Sequence, residues 1–127
     1  MGGTHWAARY VGLPYTEADC AALAARVLVE EFGKFVPVEA VDRAPSALGR
    51  ARQVQAAAQA FVRVERPEEG DLVVMHCRGR PSHVGVLARV GGVDHVLHAL
   101  KNQGSACLHK VRDLPRLGLQ VEGFYRV

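Results

Sequence analysis

Gly91-Gly92, set between two apolar runs of strand length, constrains this chain more than any other feature. Two successive glycines tolerate the positive φ angles that a two-residue hairpin turn demands. The flanking runs, 82–90 and Val93–Leu100, are rich in valine and leucine and have the length of its arms. If the turn takes both glycines, Val90 pairs with Val93. Counting outward, Ala88 then meets His95, and Gly85 meets His98. His83 lies two residues from Gly85 and so shares its face. His83 and His98 become diagonal neighbours within reach of a hydrogen bond. Gly85 places no side chain between them, while His95 points to the other face. A slip of one residue would reverse the assignment.

Around this hairpin the period is that of strands. Leu72–Cys77 is a short apolar run, Ser105–Lys110 is a further strand, and 119–127 is the last, ending Gly-Phe-Tyr-Arg-Val. Turns fall at Pro67-Glu-Glu-Gly-Asp71, Arg78-Gly-Arg-Pro81 and Lys101-Asn-Gln-Gly104. Before residue 67 the period is helical. Trp6, Ala7, Tyr10 and Val11 give a short helical pattern over 5–11. Pro14 marks a boundary, and a helix follows to about Phe32, with Gly33 placed to end it in the left-handed conformation. Residues 34–45, with Pro37 and Pro45, read as a connector. Residues 46–61 read as an alanine-rich helix, with Ser46 as cap and a modest stripe of Leu48, Ala51, Val54, Ala58 and Phe61. Helices first and an antiparallel meander of about five strands afterwards make an α+β domain. The 127 residues form a single unit, 1–127.

Bulk properties exclude several classes. No run approaches the roughly 18 apolar residues of a membrane span. Met1-Gly-Gly-Thr-His-Trp6 has no basic-then-apolar export pattern, so the expectation is a protein made in the cytoplasm without a signal peptide. The net charge is +3 and the arginines are scattered, which argues against a nucleic-acid partner. Three cysteines, an odd number, argue against a disulfide framework.

The chemistry centres on Cys20. It opens the helix that Thr16 or Asp19 can cap, and joins the apolar stripe of Leu23, Ala24, Val27, Leu28 and Phe32. The positive end of a helix dipole favours an anion, and a thiolate there is a nucleophile. The competing reading is a small buried apolar residue. A nucleophilic cysteine needs a base, and the base an orienter. His83 and His98 can fill those roles, with the oxyanion near the first N–H groups of the Cys20 helix. His76 shares a strand face with Leu72 and Val74, His95 and His109 read as surface or edge residues, and Cys77 and Cys107 as strand core. His76, Cys77, His83, His98 and Cys107 are nominal zinc ligands, but no C-x-x-C or H-x-x-x-H spacing is present. No metal or cofactor is expected.

Taken together, these segments resemble the NlpC-type cysteine peptidases of the papain-like superfamily, which cleave stem peptides of bacterial cell walls. Tyr10-Val-Gly-Leu-Pro-Tyr15 is similar to the segment leading to the nucleophile, and Asp19-Cys20 with Leu23 to the nucleophile helix. Glu69-Gly-Asp-Leu-Val73 is similar to the strand before the base. Ser82-His-Val-Gly-Val86 and Leu97-His-Ala99 are similar to the base and its polar partner. The resemblance implies Cys20 as nucleophile, His83 as base and His98 as orienter. It also implies that Tyr15, Asp19 and Ser82 serve substrate or oxyanion binding. The implied substrate is a peptidoglycan stem peptide, cut between D-glutamate and a diamino acid. The small size, Val29-Glu-Glu-Phe-Gly33 and the Gly-Phe-Tyr-Arg ending resemble the phage-tail branch, which implies association with a virion and with other tail proteins. The alternative is a non-catalytic tail assembly protein that keeps the fold. Ala21-Ala22 stands where the family usually has Ser-Gly, and Thr16-Glu-Ala18 replaces a longer glycine-rich loop.

Overall fold

The computed structural model describes residues 5–34, 61–77 and 79–126, without the side chains of 80–82. A short 3-10 helix, Trp6–Arg9, leads into the turn at Pro14. The α-helix that follows, α1 (Cys20–Phe32), starts where its first free N–H groups find an acceptor: the Asp19 carboxylate accepts from Ala22 N at 3.0 Å. Asp19, not Thr16, is therefore the cap. At the far end Gly33 takes φ 63° and lets Lys34 N–H reach back to Leu28 O at 3.0 Å. Leu23, Ala24, Val27 and Leu28 form the buried stripe, as their spacing predicts. Tyr10, itself buried, sets its hydroxyl 2.7 Å from both the Glu30 and the Glu31 carboxylates, which share its one proton, and so ties the lead-in segment to the C-terminal turn of α1.

Six strands make one antiparallel sheet, one strand more than the sequence suggests. They are β1 (Val62–Val64), β2 (Leu72–Cys77), β3 (Arg80–Val90), β4 (Val93–Leu100), β5 (Ser105–Lys110) and β6 (Leu119–Arg126), in the order β1-β6-β2-β3-β4-β5. The additional strand is β1, three residues that pair with the end of β6. The meander holds for β2 to β5, but β6 crosses back to lie beside β2. Arg80 and Pro81 belong to β3, opposite Cys77 and His76, so the expected four-residue turn is shorter. A second 3-10 helix, Val111–Leu117, carries that crossing, and no pattern in the sequence points to it. The proposed helix over 46–61 lies outside the described residues except for Phe61, which is buried in the core.

Two apolar clusters sandwich the sheet. One, beneath α1, joins Leu23, Val27 and Leu28 to Val84, Val86, Leu97 and Ala99. The other joins Val73, Met75, Leu87 and Val96 to Leu114 of the second 3-10 helix. The edge strand β5 does not end the hydrogen bonding. Gly12 N donates to Ala106 O, Ala106 N to Leu13 O, and Tyr15 N to Gly104 O, at 2.8–2.9 Å. The chain entering α1 is thus stitched to the start of β5, which fixes where α1 begins relative to the sheet. Two segments singled out by sequence prove to be structural partners: Arg126 grips the buried Asp71 through two bonds of 2.8 and 2.7 Å. Asp71 also accepts from Glu68 N at 2.6 Å, which closes the turn before β2. No helix among the described residues is long and apolar enough to cross a membrane.

Candidate functional site

The hairpin adopts the register that its glycines dictate. Val90 pairs with Val93, Ala88 with His95 and Val86 with Leu97. Gly91 and Gly92 have φ of 59° and 78°, which is what the tight turn needs. The consequence for the two histidines is direct: His83 Nε2 and His98 Nδ1 stand 2.9 Å apart, rings tilted at 63°. Both are buried, His98 completely. β3 carries a bulge immediately before His83, because Met75 pairs with His83 but His76 with Pro81. Ser82 is the extra residue. Bulges of this kind re-aim the neighbouring side chain.

Gly85 explains why the pair can close. A Cβ there would meet Val96 Cγ1 at 2.4 Å, Leu97 O at 2.8 Å and His98 Cβ at 3.0 Å. Gly85→Ala must therefore push β4 and its histidine away. The expected cost is about 1–3 kcal/mol in denaturant unfolding, together with shifted imidazole resonances of His98. An unchanged His98 spectrum in the variant would show that the glycine does not set the pair.

The hydrogen-bond chain runs one residue further than the sequence suggests. His98 Nε2 meets His109 Nδ1 at 2.9 Å, rings at 85°. His109 lies on the edge strand β5, as the expectation of an edge residue has it, but it is half-buried rather than at the surface and belongs to the cluster. The signal that finds it is the β4–β5 register: His98 faces Cys107, so His109 is its diagonal neighbour. Cys107 is likewise half-buried rather than core, with Sγ 3.6 Å from His109 Nδ1. Burial pushes the Cys107 thiol pKa up. His95 turns its ring back onto Val93 O at 2.8 Å, away from this chain.

Burial, reinforced by the charges that His83 and His109 can carry, lowers the His98 pKa from 6.5 to about 3. His98 is therefore neutral in the folded protein at every ordinary pH. It has one N–H, so it donates to one histidine and accepts from the other. The unfolded chain protonates this ring near pH 6.5 and the folded chain only near 3. Between those values the unfolded state binds more protons, so stability falls as pH falls, by up to about 1.4 kcal/mol per unit. The difference in unfolding free energy between wild type and His98→Asn should shrink or reverse from pH 6.5 to 4. A difference constant across that range would contradict the assignment.

Cys20 is the first residue of α1 and only 2 % exposed. It shares a buried cluster with Val84 and Leu97, the chain neighbours of His83 and His98. The helix it opens packs on β3 and β4, the strands that carry those histidines. Asp19 is buried beside it as the cap. Tyr15, half-buried, packs against the same cluster. The Ser82 side chain lies outside the described residues. A helix mouth, a thiol and a buried histidine pair are the residue types that a thiol nucleophile with a base and an orienter requires.

The NlpC/P60 family model matches this chain over residues 2–113. No curated protein matches it. A solved structure, "Crystal structure of a putative xylanase from Bacteroides fragilis", is similar at a TM-score of 0.42 and 14 % identity. That alignment covers 98 % of this chain and 58 % of the other, so this chain spans less than two thirds of that protein. The likeness is too weak to argue from.

Proposed function

This chain belongs to the NlpC/P60 family, and on that premise we propose that it is a thiol hydrolase with Cys20 as nucleophile, His83 as base and His98 as orienter. The family's general activity is that of a cell-wall peptidase. The observation that carries the residue assignment is the 2.9 Å contact between His83 Nε2 and the buried, neutral His98. With Nε2 turned to His98, the proton from the Cys20 thiol passes to His83 Nδ1. His83 then donates Nε2–H to His98 Nδ1, His98 carries its proton on Nε2, and His109 Nδ1 accepts it. All three rings are polarised in one direction, which spreads the charge of the His83 imidazolium along the chain.

The thiolate attacks the amide carbonyl. The developing oxyanion faces the first N–H groups of α1, where the helix dipole favours negative charge. As the intermediate collapses, His83 Nδ1–H protonates the leaving amine and a thioester remains on Cys20. Water, deprotonated by His83, then releases the acid.

The sequence resemblance supports the finer substrate reading: the amide between D-glutamate and a diamino acid of the peptidoglycan stem. It also supports delivery to the wall as a phage-tail component. The test is digestion of purified sacculi of diaminopimelate and lysine types, with fragments identified by mass spectrometry. The reading predicts fragments with a new free amine on the diamino acid. Intact sacculi of both types would refute it.

A further inference from the structure

The orienting histidine of the hydrolytic pair, His98, also belongs to a second group of side chains, in which Cys107 plays no part in the proposed reaction. The β4–β5 register sets His98 opposite Cys107 and diagonal to His109, all on one face. His98 Nε2, His109 Nδ1 and Cys107 Sγ lie within 4.8 Å of one another. The two nitrogens are 2.9 Å apart, and the sulfur is 3.6 Å from the nearer one. Around a tetrahedral zinc ion, with Zn–N near 2.0–2.1 Å and Zn–S near 2.3 Å, neighbouring ligand atoms stand about 3.3–3.6 Å apart. The Cys107–His109 side already has that length; to hold an ion the two nitrogens must part by about half an ångström and the sulfur must settle at a similar distance from His98 Nε2, which it lies within 4.8 Å of.

We propose that His98, Cys107 and His109 form a binding site for a thiophilic divalent ion such as Zn(II), and that occupancy switches off the adjoining hydrolase. The second half rests on the catalytic reading above; the first does not. One thiolate and two imidazoles are a borderline-soft donor set, which selects zinc-like ions over magnesium or calcium. Three protein ligands leave a fourth position for water. Cys107 and His109 are half-buried, so the ion has a route in, while the fully buried His98 forms the floor. The other ring nitrogen of His98 already meets His83, which supplies the outer contact that orients a metal-bound imidazole.

Binding is balanced by one proton: the Cys107 thiol gives its proton to solvent, and the ion loses water molecules to take the three ligands. A metal on Nε2 places the remaining His98 proton on Nδ1. That N–H then points at His83 Nε2, which must accept. The direction of the hydrogen-bond chain is reversed, and His83 can no longer donate from Nε2 to His98 after taking the thiol proton.

The experiment is a titration of the full chain with Co(II), followed by optical absorption, beside sacculus digestion in the presence and absence of Zn(II). The expected result is one Co(II) per chain, with tetrahedral ligand-field bands and a sulfur-to-cobalt charge-transfer band. Cys20→Ala keeps that band. Cys107→Ser loses it and binds at least about tenfold more weakly; Cys107→Ala, checked for folding by circular dichroism, does the same. Zn(II) should inhibit wild type at concentrations that leave Cys107→Ser active. A band that vanishes with Cys20→Ala and survives Cys107→Ser would overturn the site, as would no band at all. A Cys107-dependent band with sacculi never cleaved would leave the metal site standing and refute the hydrolase reading. Cleavage that Zn(II) inhibits equally in wild type and Cys107→Ser would refute the switch.

Discussion

Replacing Cys20 by alanine should abolish release of fragments from sacculi and leave the protein folded. The sulfur sits at the first position of α1, 2 % exposed, within a cluster of small and branched residues. Removing one atom from such a position costs about 1 kcal/mol of stability, the ordinary size for a mild core truncation. The catalytic loss is of another order. Removing a nucleophile from a cooperating set costs at least about 10³-fold in kcat. Cys20→Ser, with its more basic and less readily ionised hydroxyl, should behave almost as badly. The measurements are fragment release and the melting temperature, side by side. A variant that melts like wild type and still releases fragments would remove Cys20 from the mechanism. If wild type releases nothing either, and tail particles fail to assemble without the chain, the structural alternative is the better account.

His98→Ala should be the second most damaging change. It leaves His83 Nε2 facing a void, and an unsatisfied buried polar group costs about 1–3 kcal/mol. It also removes the acceptor that lets His83 hold a second proton. Loss of one member of a general-base arrangement typically costs about 10²–10⁴-fold in rate. Because His98 acts through His83, it is a positioning residue, and the loss should appear in kcat with KM little changed. His98→Asn offers a carbonyl oxygen to His83 Nε2 and should recover part of the rate, which a purely structural role would not predict. Equal damage from Ala and Asn, with equal loss of stability, would reduce His98 to a packing residue.

How far the sequence reads the fold depends on how local each determinant is. The register of the β3–β4 hairpin follows from two adjacent glycines with φ of 59° and 78°. Local turn chemistry is therefore enough to bring His83 and His98 together. The bounds of α1 follow from a side-chain cap and a left-handed glycine, both within a few residues of the ends. Non-local features are not legible in the same way. β1 is three residues, Val-Arg-Val, and is a strand only because β6 returns to pair with it. The 3-10 helix Val111–Leu117 contains Pro115 and lacks a side-chain cap, so no local signal announces it. His109 enters the histidine chain through the β4–β5 register, and the four-residue turn before β5 leaves that register unspecified. The bulge at Ser82, which sets the aim of His83, depends on how β2 pairs with β3 after Met75.

The central claim is that the thiol at the mouth of α1 is activated by His83. Alkylation of the native protein with iodoacetamide, resolved cysteine by cysteine by mass spectrometry, tests it most directly. An ordinary thiol, with a pKa near 8.5, is almost wholly protonated at pH 6. The account predicts that Cys20 reacts first among Cys20, Cys77 and Cys107, that its rate remains high at pH 6, and that His83→Ala removes this advantage. A Cys20 that reacts no faster than in the unfolded chain, with the same pH dependence whether or not His83 is present, would contradict it.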